Sequence, residues 1–451
     1  MALGETDFEL MGMSGNNVKI LLDGIPLIDR GATKQSLSQL DVNSIERVEI
    51  VEGPMSVVYG TDALAGGINI ITKKGDGYSE ENTWRVGARV QEESMGKEYD
   101  FFKDKGLHNE SIDLGFNHKS GLFVNGGYTR NNHGGWQGDL TGREKRWHPK
   151  DQALMNGMFG FQNRNMNVWY RLDFLDEKIF GPNNGSELQP EKVSDKDFLT
   201  KRYTHQLQSD WKLDNRLDVH AALSYQDYKR RTRTTESDLS TGEKWLSSAE
   251  ASQDITQYKA WIARATVAWN IAPEFSVQPG VEYQWTQGEG GRIDGTPKVS
   301  DLAFFLSAEY KPWEWLSLRP GVRTFIVADY DAPIAIPSVL TKFKLTKHMD
   351  LRLSYAYGFR SPTLQELYFS FHNDNHDIDG NPDLKAEYSH NITGSVAYRV
   401  LHSEKIHLTT TLSGFYNDFR DKISLAQNVD IPNYNTYYNI DRYKTVGGSL
   451  E

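Results

Sequence analysis

The amino-acid sequence predicts a mainly β protein, in which a transmembrane antiparallel β-barrel follows a smaller α+β domain. Apolar and polar residues alternate with period two over segments of roughly ten residues, the pattern of membrane strands with one lipid-facing side. Aromatic residues are abundant, with 22 Tyr, 20 Phe and 11 Trp in 451 residues, and they favour pleated surfaces and membrane interfaces. No apolar run approaches the roughly 20 residues that a spanning helix needs. A helical membrane protein is therefore excluded, whereas a barrel is compatible with the mean hydropathy of -0.60.

The small domain is predicted to occupy residues 1–78. Short β-branched strands are expected at Val18–Leu22, Val48–Val51 and Gly67–Ile71, separated by turn-forming Gly, Pro, Asn and Asp. The first and third runs are apolar almost without interruption, which predicts strands covered on both faces. Gly75–Ser79 has the composition of a linker.

The barrel is predicted to occupy residues 79–451. Alternation is clearest at 217–225, 275–285, 351–360 and 406–413, and in the first of these Leu223 lies on the opposite face from Ser224. Counting such segments predicts about 14–16 strands. A soluble β-sandwich is the main alternative, but its strands are about half as long. A β-propeller would need a repeat of about 40–50 residues, and the sequence shows none.

Charge and motif content exclude several functions. The formal net charge is -11, whereas a nucleic-acid surface needs clustered Lys and Arg, so nucleic acid is not an expected partner. The chain has no cysteine, and therefore neither disulfides nor thiolate metal ligands. HExxH, GxSxG and GxxxxGK motifs are absent from the sequence. We expect a protein that is not an enzyme and has no catalytic cofactor.

Three sequence runs near the N-terminus resemble the plug domain of the TonB-dependent receptor family. They are ILLDGIPL (20–27), RVEIVEGPMSVVYG (47–60) and ALAGGINIITKK (63–74). The resemblance implies that residues 1–78 form the C-terminal part of a plug inside the barrel lumen. It also implies that the complete barrel has about 22 strands, that the protein resides in the bacterial outer membrane, and that TonB drives its transport cycle. Because the chain lacks an export signal and the family's terminal aromatic residue, we expect a fragment truncated at both ends.

Two groups of plug residues are candidates for gating. Arg47, Glu49 and Glu52 are expected to pair with charges on the barrel wall and to hold the plug in place; the alternative is that they are solvated charges on a strand edge. The plug glycines are expected to permit tight backbone turns rather than to contact ligand; they are Gly53, Gly60, Gly66 and Gly67.

A long polar segment at 359–387 carries the candidate ligand site. It resembles the external region of haem receptors of the same family, in which an FRAP box and an NPNL box flank a histidine. The matching box residues are Phe359, Arg360, Pro362, Asn381, Pro382 and Leu384, and the histidines between them are His372 and His376. The resemblance implies that one of these histidines is the axial ligand of haem iron, a role suited to neutral imidazole. Here Ser361 replaces the alanine of the first box and Asp383 an asparagine of the second.

Two other interpretations of this segment stay open. The histidines could belong to a solvated polar loop with no ligand role. Calcium is the second alternative, with Asp377 and Asp379 at alternating positions of an oxygen-ligand loop. Counted from Asn375, however, the twelfth position, where such a loop closes with Glu, is Ala386, and Glu387 comes one residue late.

The resemblance implies a TonB-dependent uptake receptor that binds haem or another iron chelate on external loops. Its expected partners are TonB, outer-membrane lipid and the chelate, with an accessory surface lipoprotein as a further candidate. The alternatives are a cobalamin receptor of the same family and a β-barrel adhesin or binding protein that does not transport.

Overall fold

The computed structural model describes residues 9–10, 13–14, 17–28, 37–52, 56–61, 63–64, 66–74, 81–249, 251–328, 330–373, 376–402, 407–431, 433–440 and 442–451. A small N-terminal sheet lies inside a large antiparallel β-barrel. Among these residues, no helix is long and apolar enough to cross a membrane. The predicted linker at Gly75–Ser79 lies outside the described residues, so the boundary at residue 78 stays a prediction.

The small sheet, called the plug here, has the strand order β4-β3-β6-β5. The first two strands of the chain, β1 (Glu9–Leu10) and β2 (Met13–Ser14), form a separate antiparallel pair. The elements that follow are β3 (Val18–Leu22), β4 (Ile25–Pro26), β5 (Ile45–Glu52), α1 (Ser56–Tyr59) and β6 (Gly66–Thr72), with 3-10 turns at Leu37–Gln39 and Val42–Ser44. All five residues of β3 and most of β6 are buried, which confirms the predicted coverage on both faces. Strand β5 is an edge strand, and its Val48 and Ile50 are exposed.

The barrel strands follow one another in chain order around the ring. They are β7 (Thr83–Glu93), β8 (Leu107–Asn117), β9 (Leu122–His133), β10 (Lys150–Gln162), β11 (Met166–Gly181), β12 (Lys192–Lys212), β13 (Leu217–Asp238), β14 (Lys244–Leu246), β15 (Ile255–Ala272), β16 (Phe275–Gly290), β17 (Lys298–Trp313), β18 (Leu316–Ala328), β19 (Ile336–Lys344) and β20 (Met349–Arg360). The chain continues through α2 (Leu364–Tyr368), β21 (Ser370–Asn373), β22 (His376–Asp379), β23 (Glu387–His402), β24 (His407–Arg420), β25 (Lys422–Gln427), β26 (Tyr434–Ile440) and β27 (Tyr443–Leu450).

Over the residues that the structure describes, the ring order contains seventeen strands, and one of them, β14, is a three-residue branch paired with β13. The other sixteen are long, which agrees with the predicted 14–16. Antiparallel registers link each long strand to the next from Thr83 to Leu450. The mainly β fold with an internal plug is therefore confirmed.

The two faces of the barrel are chemically inverted relative to a soluble protein. Leu223 is 42% exposed while its neighbour Ser224 is 1% exposed. In a water-soluble sheet the apolar side would be covered, so an uncovered apolar face indicates a lipid-facing surface. The inner face is apolar where the first hairpin of the plug packs against it, as at Ile262, which lies in one cluster with Ile25.

The two ends of the barrel differ in the length of their connections. One end has short turns, such as 163–165 and 213–216, and is called the short-turn end. The opposite, long-loop end carries the connections 361–386 and 421–442. These two connections join in a separate four-stranded sheet of order β21-β22-β26-β25, called the loop sheet.

Candidate functional site

Three glutamines on the inner wall of the barrel hold the first hairpin of the plug. The hairpin β3–β4 turns at Asp23 and Gly24, which have φ of 50° and 81°, as a two-residue Asp-Gly turn requires. Gln206 Nε2 donates to the Leu22 carbonyl at 3.2 Å, and Gln208 Nε2 donates to the Asp23 carbonyl at 2.9 Å.

The third glutamine, Gln226, makes two hydrogen bonds to the plug. Gln226 Nε2 donates to the Pro26 carbonyl at 2.7 Å, and the Ile28 amide donates to Gln226 Oε1 at 2.9 Å. All three glutamines are buried. Each such hydrogen bond contributes on the order of 1 kcal/mol, so the first hairpin of the plug is held by several modest, neutral contacts.

A second group of contacts holds the plug segment at 38–44. Gln39 Nε2 donates to Glu177 Oε1 at 2.8 Å, and Glu177 also accepts from Gln152. The Asp41 carboxylate accepts from Thr129 Oγ1 at 2.9 Å and from the Asn156 side chain at 3.3 Å. Sequence reasoning missed these residues, although polar side chains at alternating inward positions are the signal that could have found them.

The predicted ion pairs between plug and barrel are wrong for Arg47 and Glu49. Arg47 pairs with Glu46 at 3.3 Å and with Glu49 at 2.9 Å, both within the plug, and its side chain is 55% exposed. Glu49 also accepts from Asn69 of β6. The physical reason is that β5 is the edge strand of the plug, so these residues lie in the solvated strand-edge setting that was the alternative interpretation. The side chain of Glu52 lies outside the described residues.

The plug glycines do not share one role. Gly60 has φ of 78° and Gly66 has φ of 137°, both values that favour glycine. A Cβ on Gly60 would lie 3.1 Å from Arg323 Nη2 and from Glu282 Oε1 of the barrel. The turn prediction is wrong for Gly67, which lies within strand β6 and pairs with Lys19. Gly53 lies outside the described residues.

A buried charge cluster does lie beneath the plug, but its members belong to the barrel. Glu282 accepts from Arg323 at 2.7 Å and from Arg264 at 2.9 Å, and both arginines are less than one-tenth exposed. The plug approaches this cluster with Gly60 and with the buried Lys19, whose Nζ donates to the Thr61 carbonyl at 2.9 Å.

Both sequence boxes of the long loop are structural. Arg360 is 3% exposed and bonds Glu366 through both terminal nitrogens, at 2.8 and 3.0 Å, and Glu387 at 2.8 Å. Glu366 completes a capping box with Thr363 at the start of α2. Arg360 therefore joins the end of β20, helix α2 and the start of β23 in one buried network.

The remaining box residues pack this network against its neighbours. Phe359 is fully buried and packs edge-on against Phe325, with the two ring centroids 5.0 Å apart. Leu384 packs with Leu367 and Ile423. Asn381 donates to the Tyr437 carbonyl at 2.9 Å, which ties the second box to β26. Pro362 is buried and Pro382 is exposed.

The first box also contacts the plug. The Ser361 amide donates to Thr61 Oγ1 at 2.7 Å, and the two hydroxyl oxygens lie 3.0 Å apart. Val57 of α1 packs in the same apolar cluster as Phe359. The serine that departs from the expected box therefore forms a direct link between the plug and the long loop.

His372 lies on the exposed loop sheet with both ring nitrogens engaged. Nδ1 lies 2.5 Å from Asp377 Oδ1, and Nε2 lies 3.0 Å from Asp379 Oδ1. The hydrogen bond with Asp377, aided by the charge of Asp379, raises the pKa of His372 above its ordinary value of 6.5. A raised pKa favours imidazolium, which cannot coordinate iron. His376 lies in β22, and its side chain is outside the described residues.

The two candidate calcium ligands are occupied by protein donors. Besides its contact with His372, Asp379 accepts from the Tyr434 hydroxyl at 3.2 Å. In the part of the chain that the structure describes, no group of three or more His, Cys, Asp or Glu residues is arranged to hold a metal ion. The calcium alternative therefore gains no support from the geometry of Asp377 and Asp379.

The plug leaves part of the lumen empty. A cavity of about 1690 Å³ lies toward the short-turn end, and its mixed lining includes Trp313, Trp315, Arg319, Lys342 and Arg352. A wide space on one side of a plug whose first hairpin is held by neutral hydrogen bonds is what a gated channel requires.

Fold and site together define a β-barrel membrane protein whose lumen is closed by its own N-terminal domain. Residues 2–67 match the model of the TonB-dependent receptor plug domain, and residues 269–451 match that of the TonB-dependent receptor-like β-barrel. The chain belongs to the TonB-dependent receptor family and is therefore an outer-membrane β-barrel protein.

Among curated proteins, the iron-regulated outer membrane virulence protein of Vibrio cholerae serotype O1 (El Tor Inaba N16961) is 26% identical over 450 residues. That alignment covers 93% of this chain and 61% of the relative, so the chain spans about three fifths of that protein's length.

Two solved structures share the fold. The siderophore receptor PirA from Pseudomonas aeruginosa superimposes with a TM-score of 0.74 at 16% identity, covering 98% of this chain and 75% of that one. A variant of the ferric enterobactin receptor PfeA from Pseudomonas aeruginosa superimposes with a TM-score of 0.71 at 17% identity, covering 98% of this chain and 71% of that one.

Proposed function

We propose that the protein containing this chain is an uptake receptor that captures an iron chelate at the long-loop end and admits it when TonB displaces the plug. The observation that carries the proposal is the way the plug is held. Its contacts through Gln206, Gln208 and Gln226 are neutral hydrogen bonds, each of modest strength. A hairpin held in this way can be displaced and can return at a modest cost in hydrogen bonding.

Iron is proposed as the cargo because the relatives are named for it. The Vibrio cholerae relative is an iron-regulated outer membrane protein, PirA is a siderophore receptor, and PfeA is a ferric enterobactin receptor. A plain adhesin is disfavoured, because adhesion does not need a domain that closes the lumen. Cobalamin as an alternative ligand and an accessory surface lipoprotein stay predictions.

We favour a siderophore-type chelate over haem. The haem interpretation needs a neutral, accessible imidazole, whereas His372 is bound by two carboxylates that stabilise its protonated form. The boxes that suggested haem instead form the buried network of Arg360.

The test is radioiron uptake by a strain that lacks its own iron receptors and expresses the full-length protein. We expect TonB-dependent uptake of ferric siderophores and no growth on haemin as the iron source. Haemin titration of the purified receptor should give a Soret band that does not change in a His372→Ala, His376→Ala double variant. A band that shifts in the native protein and is lost in this variant would restore the haem assignment. Cyanocobalamin uptake without iron uptake would refute the proposal.

A further inference from the structure

Arg202 is a buried cation on the inner barrel wall whose donors are unused. It lies on β12 and is 4% exposed. Among the described residues, none of its Nε, Nη1 and Nη2 atoms has a hydrogen-bond partner. The guanidinium carbon of Arg202 lies 5.0 Å from the centroid of the Tyr228 ring. A buried guanidinium with unfilled donors is costly, because it has lost water without gaining acceptors.

A second buried arginine lies beside it. Tyr228 is opposite Arg202 across the β12–β13 pairing, and Arg230 is opposite Thr200, so the two arginines are diagonal neighbours on the inner face. Arg230 is 3% exposed, and its guanidinium carbon lies 4.8 Å from the centroid of the Phe198 ring. The wall therefore presents two guanidinium groups backed by aromatic rings, the arrangement that suits a planar or delocalised anion.

Two carboxylates of the adjoining strand β11 lie one diagonal step from Arg202, and both are already engaged. Glu177, opposite Thr200, accepts hydrogen bonds from Gln39 of the plug and from Gln152 of the barrel. Asp173, opposite Thr204, accepts from Arg171. Among the residues that the structure describes, Arg202 therefore keeps its hydrogen-bonding capacity.

The plug covers this wall. Tyr228 packs in one apolar cluster with Ile28 of the plug, and the Ile28 amide is bonded to Gln226 of the same strand as Tyr228. Withdrawal of the β3–β4 hairpin would remove Ile28 from this wall and open the space in front of Tyr228 and Arg202.

We propose that Arg202, in a wall that Arg230 makes more positive, is an internal anion site that binds a negatively charged ferric chelate in transit after the plug has moved. This inference rests on the proposed function. The chemical class is a catecholate or carboxylate chelate, in which the ligand anions outweigh the ferric charge. A neutral hydroxamate chelate would gain little from this site.

The experiment separates surface binding from transit in the full-length receptor. Radioiron-labelled ferric enterobactin is the anionic probe and a neutral ferric trihydroxamate is the comparison. Surface affinity is measured in a strain lacking TonB, and the uptake rate in the same strain with TonB. Arg202→Gln removes the charge and keeps hydrogen-bonding capacity, while Arg202→Lys keeps the charge. The fraction of folded receptor in the membrane is measured for each variant.

For Arg202→Gln we expect unchanged surface affinity and an uptake rate of ferric enterobactin lowered by about tenfold or more, the size of a lost charge-assisted contact. Arg202→Lys should keep uptake within about threefold of the native rate, since the cation remains. Native uptake in Arg202→Gln, or an equal loss for both chelates, would overturn the inference. A folded Arg202→Lys receptor that loses ferric enterobactin uptake by about tenfold or more would also overturn the inference. This second variant provides the test if Arg202→Gln does not fold.

The two proposals fail in different ways. If the native receptor transports neutral but not anionic chelates, the anion site is wrong and the uptake function stands. If the native receptor transports no iron chelate with TonB, the proposed function itself fails.

Discussion

Replacing Arg360 with methionine should loosen the whole loop sheet. The side chain of Arg360 is 3% exposed, and those of Glu366 and Glu387 are 8% and 5% exposed. Methionine retains most of the volume but removes three charge-assisted hydrogen bonds of 2.8–3.0 Å. Two buried carboxylates would then lie close together without a cation.

The expected cost is about 3–5 kcal/mol, the usual penalty for removing one partner of a buried ion pair. Each carboxylate keeps one backbone donor, from Thr363 and Ile423 respectively, so the value should lie toward the lower end. Arg360→Lys should lose less, because an ammonium keeps the charge but cannot bond both Glu366 oxygens and Glu387 in the same planar geometry.

The assay is native-state hydrogen exchange of the full-length receptor in detergent, read at the backbone amides of the loop sheet and of α2. Arg146→Met is the matched control, because Arg146 pairs with Asp139 on an exposed loop and both side chains are about half exposed or more. We expect these amides to exchange faster in Arg360→Met than in the native receptor, and at the native rate in the control. Native exchange rates in Arg360→Met would refute the view that this network joins β20, α2 and β23.

Three further predictions concern the plug, the loop and the lipid face. Thr61→Val should destabilise the seated plug by about 1 kcal/mol, because the partly buried Ser361 amide loses its acceptor. In a urea-unfolding cycle Ser361→Ala should add little to this loss, and additive losses would contradict the link. Asp377 raises the pKa of His372, so the contribution of His372 to loop-sheet stability should be complete below pH 6.5, the ordinary value, and should fade as the pH rises through the raised pKa. Hydrogen exchange of the loop sheet in His372→Gln should lose this pH dependence. An unchanged pH dependence in the variant would contradict the assignment. Leu223→Lys should lower the stability of the folded barrel in lipid by up to about 4 kcal/mol, whereas Leu223→Ala should cost much less; equal losses would mean that this face does not contact lipid.

Local pattern was enough to predict the barrel and the buried plug strands. Side chains alternate sides in any strand, so the periodicity at 217–225 already separates Leu223 from Ser224, and only a membrane makes the apolar side the uncovered one. The run Val18–Leu22 has no polar face to expose except at Lys19, so it had to be covered on both sides. Both outcomes follow from covalent geometry and hydropathy, which are properties of neighbouring residues.

Partnerships across the chain were decided only by the tertiary structure. Arg47 and Glu49 had the right charges for a plug–barrel ion pair, but the strand order placed them on the plug's free edge. The Ile28 amide meets Gln226, which is 198 residues away, and no local rule selects that glutamine.

The same limit applies to the long loop. Its histidine and its boxes were visible in the sequence, yet whether His372 was available to a ligand depended on the two aspartates that strand pairing brought to it. The sequence by itself determined which faces of each element seek lipid, water or protein, because those preferences are local. The tertiary structure decided which groups satisfy one another, because hydrogen bonds and ion pairs depend on distances that only the closed barrel sets.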